Sequence, residues 1–394
     1  MTWGRPAIAA VPQGEGMMPE IQDILAHCGE EYKSSHNISY EQEKAVNALL
    51  KCRTSQLGGH TSVCDDCGNI QVSYNSCRNR HCPKCQTLQK ERWIEGRKHD
   101  LLNVPYFHVV ATIPDNLHGI FLQNQGLCYN LLFKAVSQTL KELAADRKYL
   151  GAEIGFSGIL HTWGQNLMYH PHIHLIVPGG GLDKLGGWVP SKKKFFLPVK
   201  VMSRKLRGKF LALLREAFKS GGLHFYGDIK CLELPGPFGQ LLAPLYHKEW
   251  IVYCKPPFKT AATVVEYLGR YTHRVAISNN RILGMENDTV SFKWRDYKDN
   301  NKWKVMTLGA GEFIRRFLTH VLPQGFMKIR HYGLLCNRGK SIRLDAVKRL
   351  TKTPVSEKII PSTLELVKKM FGENAFNCPF CSSDKISRLS FGKT

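Results

Sequence analysis

An eight-residue run, HPHIHLIV from His170 to Val177, limits the folds open to this chain more than any other feature. Its polar and apolar side chains alternate with the period of an extended strand. His172 and His174 therefore fall on one face, roughly 7 Å apart, and Ile173 points the other way into a core. Pro171 cannot donate a ladder hydrogen bond, which suits the start of a strand, and Gly179, Gly180 and Gly181 end the run. Two neutral imidazoles supply half of a metal shell. A third polar ligand must come from elsewhere, with positions open for a substrate.

The neighbouring segments say where that ligand can come from. GFSGILHTWG reads as a strand joined to the histidine strand by a turn over Gln165 to Tyr169, giving an antiparallel hairpin. Gln165, seven residues before His172, is the first candidate, with His161 beside it. VPYFHVVATIP is a further buried strand whose His108 could ligate, although a lone strand histidine is more often a satisfied core residue. Helical spacing marks MPEIQDILAHCGEEY, SYEQEKAVNALLKC, LQKERWIEGRKHDLL, Asn116 to Leu150 and the basic MSRKLRGKFLALLREAFKSG.

Thirteen cysteines would suggest disulfides in a secreted chain, but seven fall between Cys28 and Cys85, mostly as CxxC pairs with histidines among them. That is the pattern of an intracellular metal module. Cys64 with Cys67 and Cys82 with Cys85 form two knuckles, together the four thiolates of one tetrahedral structural zinc. The 14-residue gap between them is slightly shorter than the usual zinc-ribbon range. Cys52, His60, Cys77 and His81 are candidates for a second zinc, with burial as small hydrophobes the competing reading of Cys52 and Cys77. Arg78, Arg80 and Lys84 sit in this metal-tied loop, facing phosphates or solvent. In the tail, Cys378 and Cys381 make half of another zinc site, with Cys336 and His331 as available partners.

Lysine plus arginine exceed aspartate plus glutamate by 55 to 32, a formal charge of +23, which favours a polyanionic partner through counterion release. The densest charge, Lys192 to Lys194 with Arg204, Lys205, Arg207 and Lys209, follows the histidine strand closely in sequence. RVAISNNRIL, TVSFKWRDYK and KWKVMTL predict a three-stranded meander. On it Trp294, Tyr297 and Trp303 alternate with basic residues, as base stacking with phosphate contact requires, or as sheet-stabilising cross-strand pairs do. No apolar run approaches the roughly 20 residues of a membrane span, and AIAAV is too short for a signal-peptide core. A cytoplasmic, nucleoid-associated protein with no membrane partner is expected.

FKTAATVVEYLGRYTHR has apolar positions at the helical period, so Tyr267 and Tyr271 share one helix face about 6 Å apart. Taken alone, such a pair is usually core. In combination with the histidine strand and the zinc segment, the chain resembles the two-tyrosine HUH transposases of rolling-circle insertion sequences. The resemblance spans most of the chain and is carried by CRNRHCPKCQ, HTWGQNLMYHPHIHLIVPGGG, EYLGRYTHRVAIS and RHYGLLCNR.

It implies that His172 and His174 hold a magnesium or manganese ion and that Tyr267 and Tyr271 attack single-stranded DNA. The product would be a 5′-phosphotyrosine link and a free 3′-hydroxyl, with no nucleotide cofactor. A phenol with a pKa of about 10 is a poor nucleophile at neutral pH, so Arg270, Arg274 or the metal must favour the phenolate. A second tyrosine allows a second strand transfer while the first link persists. Related enzymes differ in their third ligand, so Gln165 rests on position alone.

The expected fold is α+β, an HUH-type central antiparallel sheet with packed helices, preceded by a small zinc-binding module. The expected division is residues 1–100 for the N-terminal helices and the zinc-binding DNA-recognition module, 101–322 for the catalytic domain, and 323–394 for a C-terminal basic segment and tail. A rolling-circle replication initiator would share the chemistry. A histidine-triad nucleotide hydrolase would instead use the alternation of His170, His172 and His174, with the middle one as nucleophile. A zinc protein that only binds DNA would leave every one of these residues structural. RGKS near the C-terminus is no phosphate loop, because Gly333 lies one residue too far from Gly339 and no strand clearly leads in. The sequence does not indicate an oligomeric state.

Overall fold

The computed structural model describes residues 18–192, 196–258, 263, 264, 267, 269, 275–355, 357 and 359–393. Helices α1 (Ile21–Ser35) and α2 (Tyr40–Leu50) open the described chain. Ile21, Ile24, Leu25, Cys28 and Tyr32 recur at helical spacing and are buried, and Ser39 caps α2 in a box with Gln42. The hairpin β1 (Gly59–Cys64) and β2 (Ile70–Tyr74) follows, then α3 (Gln86–Lys98).

The next elements build the centre. They are β3 (Tyr106–Thr112), α4 (His118–Gln123), α5 (Gln125–Ala145), β4 (Phe156–Trp163) and β5 (Tyr169–Pro178). A small hairpin, β6 (Gly180–Leu182) and β7 (Trp188–Pro190), precedes α6 (Val199–Lys219), α7 (Pro235–Leu245) and β8 (Val252–Phe258). The meander β9 (Ile282–Glu286), β10 (Thr289–Asp296) and β11 (Lys302–Gly309) leads into α8 (Ala310–Thr319). The chain ends with β12 (Ile329–Tyr332), α9 (Lys340–Leu350), α10 (Thr363–Phe371) and β13 (Ile386–Phe391).

The fold is α+β, and its central five-stranded sheet runs β12-β4-β5-β3-β8 with every neighbouring pair antiparallel. Register decides what each face carries. His172 lies opposite Thr112 and His161, and His174 opposite Val110 and Ile159. Ile173, Leu175 and Val177 join Phe107, Val109 and Ala111 on the other face, in one core with Leu132 and Phe133 of α5 and Leu206 and Phe210 of α6. Each such side chain stabilises the fold by roughly 1.5–3 kcal/mol when fully buried. A one-residue slip of β5 would drive its histidines into that core, so apolar packing on one face fixes the imidazoles on the other.

Two regions depart from expectation. SRLSF, read as tail, is strand β13, and it pairs antiparallel with β1 from Gly59↔Phe391 to Cys64↔Ile386. Its partner lies at the far end of the sequence, where local pattern cannot find it. The segment expected as a C-terminal unit is shared out, with β12 on the edge of the central sheet and β13 on the N-terminal hairpin. Most of the expected tyrosine helix, including Tyr271, Arg270 and Arg274, lies outside the described residues, as do Lys193 and Lys194. Among the described residues no helix is long and apolar enough to cross a membrane.

Buried neutral histidines tie the sheet to its surroundings. His320 donates from Nε2 to the Leu167 carbonyl at 3.0 Å and accepts from the Thr162 hydroxyl at Nδ1, 3.2 Å away. Burial holds it down to about 4, and does the same to His331, which lies 2.7 Å from the Ser157 hydroxyl. Between about pH 4 and the ordinary histidine value of about 6.5 the unfolded chain binds more protons than the folded one. Stability is therefore complete above about pH 6.5 and falls by up to about 1.4 kcal/mol per pH unit per group below it. Melting temperature should drop steadily across that window, less steeply in His320→Gln; a flat profile would contradict this assignment.

Candidate active site

β5 places His172 and His174 on the face away from the helical core, with Nε2 atoms 3.0 Å apart. His161 of β4 joins them, one ligand nitrogen from each of the three lying within 4.8 Å of the others. The His161 ring is held by stacking on Trp163 at 4.7 Å. His172 Nδ1 lies 2.6 Å from the His170 carbonyl. Only an N–H can satisfy that acceptor, so the lone pair sits on Nε2, aimed at the other two rings. Three imidazoles converging in this way fit a divalent metal. Their donor separations suit one shell, and a backbone carbonyl sets the tautomer of His172.

The row continues into β3. His174 Nδ1 is 2.8 Å from His108 Nε2, and His108 Nδ1 is 3.0 Å from the Tyr267 hydroxyl. Burial, with Lys255 and His172 nearby, lowers His108 to about 3, so its ring is neutral at physiological pH and carries one proton. Tyr267 also packs edge-on to His108, with ring centroids 5.0 Å apart, and against Phe258 at 4.8 Å.

Gln165 is placed differently from the expectation. Its amide donates to the Tyr297 hydroxyl at 3.0 Å, at an exposed position facing the meander. A register shift of β4 at His161 and Trp163 accompanies His161's position opposite His172, and no hairpin pattern in the sequence announces it. His170, first of the three alternating histidines, groups with Asp115 and His118.

The cysteines are sorted otherwise than their spacing suggested. The two knuckles do not share a centre: Cys82 and Cys85 cluster with Cys52 and Cys77, and Cys64 and Cys67 with Cys378 and Cys381. His60 and His81 join neither cluster. His60 lies on β1 opposite Ser73 and Ser390. His81 is half-buried, held down to about 3 chiefly by desolvation, and accepts from the Leu322 N–H at 3.4 Å. In the first cluster Cys52 Sγ lies 3.6 Å from Cys85 and from Cys82, and Cys77 lies 3.6 Å from Cys85. Such all-thiolate clusters suit structural zinc.

Of the residues expected to meet DNA, Arg78 is exposed on the metal-tied loop at φ 54°, whereas Lys84 is paired with Glu20 and donates to Gln22 at 2.8 Å. Arg80 donates to the Phe326 carbonyl at 2.9 Å. Trp303 is 61% exposed with the Arg295 guanidinium over its ring, whereas Trp294 packs against the N-terminal core. A cavity of about 570 Å³ is lined by Gln86, Thr87 and Lys90 of α3 together with Gly269 and Arg281.

Two family models match the chain, one described as "Putative transposase" over residues 155–342 and one as "Transposase zinc-binding domain" over residues 24–113. "Putative transposase y4qJ" of Sinorhizobium fredii is 47% identical over 369 residues, 92% of this chain and 93% of that one. The "Transposase for insertion sequence element IS801" of Pseudomonas savastanoi pv. phaseolicola is 28% identical over 86% of this chain and 82% of its own length. No solved structure matches.

Proposed function

The chain belongs to the IS91- and IS801-type transposases, and from that premise we propose that it cuts and rejoins single-stranded DNA in rolling-circle transposition. Tyr267 forms a 5′-phosphotyrosine link, and Tyr271 serves the second strand transfer. The observation that carries the reading is the unbroken row of contacts from His172 through His174 and His108 to the Tyr267 hydroxyl. A divalent ion held by His161, His172 and His174 would polarise and orient the scissile phosphate. Wholly nitrogen donors favour manganese over magnesium.

The protein's own groups account for the nucleophile. With Nε2 of His174 turned to the metal side, its Nδ1–H donates to His108 Nε2, so neutral His108 carries its proton on Nδ1 and donates it to Tyr267 Oη. His108 therefore stabilises the phenolate rather than acting as a base, and the phenolic proton goes to water. The Tyr267 oxygen then bonds to phosphorus, the P–O3′ bond breaks, and the 3′-oxygen takes a proton from water. The bond energy is kept in the phosphotyrosine, so rejoining is the reverse step and no nucleotide is consumed. Positioning and charge neutralisation are most of what phosphoryl transfer needs. In this reading residues 101–322 carry the chemistry and residues 1–100 recognise the DNA, with Arg78 and Trp303 among the strand contacts.

Labelled single-stranded oligonucleotides from the element's ends, incubated with the protein and manganese, should give an adduct that survives denaturation. Tyr267→Phe should slow its formation about a hundredfold or more, with residual adduct through Tyr271, and the double change to Phe should abolish it. Undiminished adduct in the double variant would remove the phosphotyrosine reading.

A further inference from the structure

We propose that Cys64, Cys67, Cys378 and Cys381 hold a structural zinc of their own, which clasps the end of the chain onto the N-terminal hairpin. The zinc-binding family model ends at residue 113, so half of this site comes from a segment outside it. The proposal is independent of the DNA chemistry above.

The two CxxC segments are built alike. In the first, the Gly68 N–H donates to the Cys64 carbonyl at 2.8 Å and the Cys64 N–H to the Asn69 carbonyl at 2.9 Å. In the second, the Ser382 N–H donates to the Cys378 carbonyl at 2.8 Å and the Cys378 N–H to the Ser383 carbonyl at 2.7 Å. The residue after the second cysteine is left-handed in both, Gly68 at φ 68° and Ser382 at φ 61°. Ser382 adopts this conformation without glycine's freedom.

The sulfurs are spaced for an ion. Cys64 Sγ is 3.5 Å from Cys381 and Cys67 is 3.6 Å from Cys378, and all four lie within 4.8 Å of one another. Tetrahedral Zn–S bonds of about 2.3 Å put sulfurs roughly 3.8 Å apart, whereas a disulfide needs about 2.05 Å. The knuckles are brought together by the β1–β13 register, which ends on Cys64↔Ile386, and by Ser383, whose hydroxyl donates to Asp66 at 2.6 Å.

Beyond the β1–β13 ladder and its few polar contacts, little apolar packing holds this segment. Among described residues after Phe371, Cys378 is the one buried side chain. A segment with so little apolar burial needs a metal or a covalent staple to stay ordered.

The test is the zinc content of the purified full-length protein, measured by elemental mass spectrometry. Two zinc ions per chain are expected. The Cys378→Ser, Cys381→Ser variant should hold half as much and expose residues after Phe371 to protease, while a Cys82→Ser, Cys85→Ser variant loses the other ion. Cobalt substitution guards against misfolding, since the tail variant should keep half of the visible absorption of tetrahedral tetrathiolate cobalt. Unchanged zinc in the tail variant would overturn the proposal. So would a zinc-free site whose intact mass is short by the hydrogens of a disulfide.

Discussion

His174→Ala is expected to slow strand cleavage about a thousandfold or more, measured as the rate of covalent adduct formation with a single-stranded oligonucleotide at saturating manganese. The size follows from where the ring sits. Its Nε2 is 3.0 Å from that of His172 and its Nδ1 is 2.8 Å from His108. One deletion would thus remove a donor of the proposed metal shell and also the N–H proposed to set the His108 tautomer, so that the phosphate and the phenolate of that reading would lose support together. His174→Gln restores neither arrangement and should be nearly as slow. His108→Ala leaves the three imidazoles of the proposed shell in place and should cost less, about ten- to a hundredfold, the usual effect of losing an outer-shell partner. The melting temperature of each variant separates lost chemistry from lost structure. A His174→Ala protein that stays folded and cleaves within tenfold of the parent would place the reaction elsewhere.

The second large effect is on stability. Cys85 lies 3.6 Å from both Cys52 and Cys77, and Cys52, Cys82 and Cys85 belong to the same core as Ile24 and Leu25 of α1, Leu167 of the β4–β5 turn and Phe313 and Phe317 of α8. Structural zinc in small modules binds with about 10–16 kcal/mol of apparent free energy, comparable to the whole stability of a domain. Cys85→Ser is therefore expected to unfold α1, α2 and the segment from Cys77 into α3 at ordinary temperature and to loosen α8 against the meander, while the β1–β2 hairpin keeps the separate cluster that it shares with Cys378 and Cys381. Hydrogen exchange should show protection lost in the unfolded segments and retained in Phe107, Val109 and the α5 and α6 core. Chelation of the parent protein should reproduce the pattern. Equal protection in parent and variant would mean that the thiols are merely packed.

How much of this is legible in the sequence depends on whether the cause is local. The period-two run that ends at Gly179 encodes β5 and its two-faced character, and the helical spacings of α1, α5 and α6 encode the core that orients it. Partners across the sheet are not local. His161 meets His172 through a hairpin whose register shifts at Trp163, so turn proximity pointed to Gln165 instead. His108 looked like an ordinary core histidine because β3 is separated from β5 by two helices and β4, and their adjacency belongs to topology. The cysteine spacings marked the CxxC knuckles but could not assign their partners, since thiolates bind whatever the fold brings within reach. The match of Cys64 and Cys67 to Cys378 and Cys381 depends on strand pairing across more than three hundred residues.

That separation has a consequence during synthesis. β1 lacks its outer neighbour until β13 has been made, and Cys67 waits 311 residues for Cys378. At about 5–20 residues per second, a ribosome takes about 15–60 s to cover that distance. Through that interval the nascent N-terminal hairpin presents an open strand edge and a pair of reactive sulfurs, and codons more than three hundred positions downstream determine whether it is ever closed.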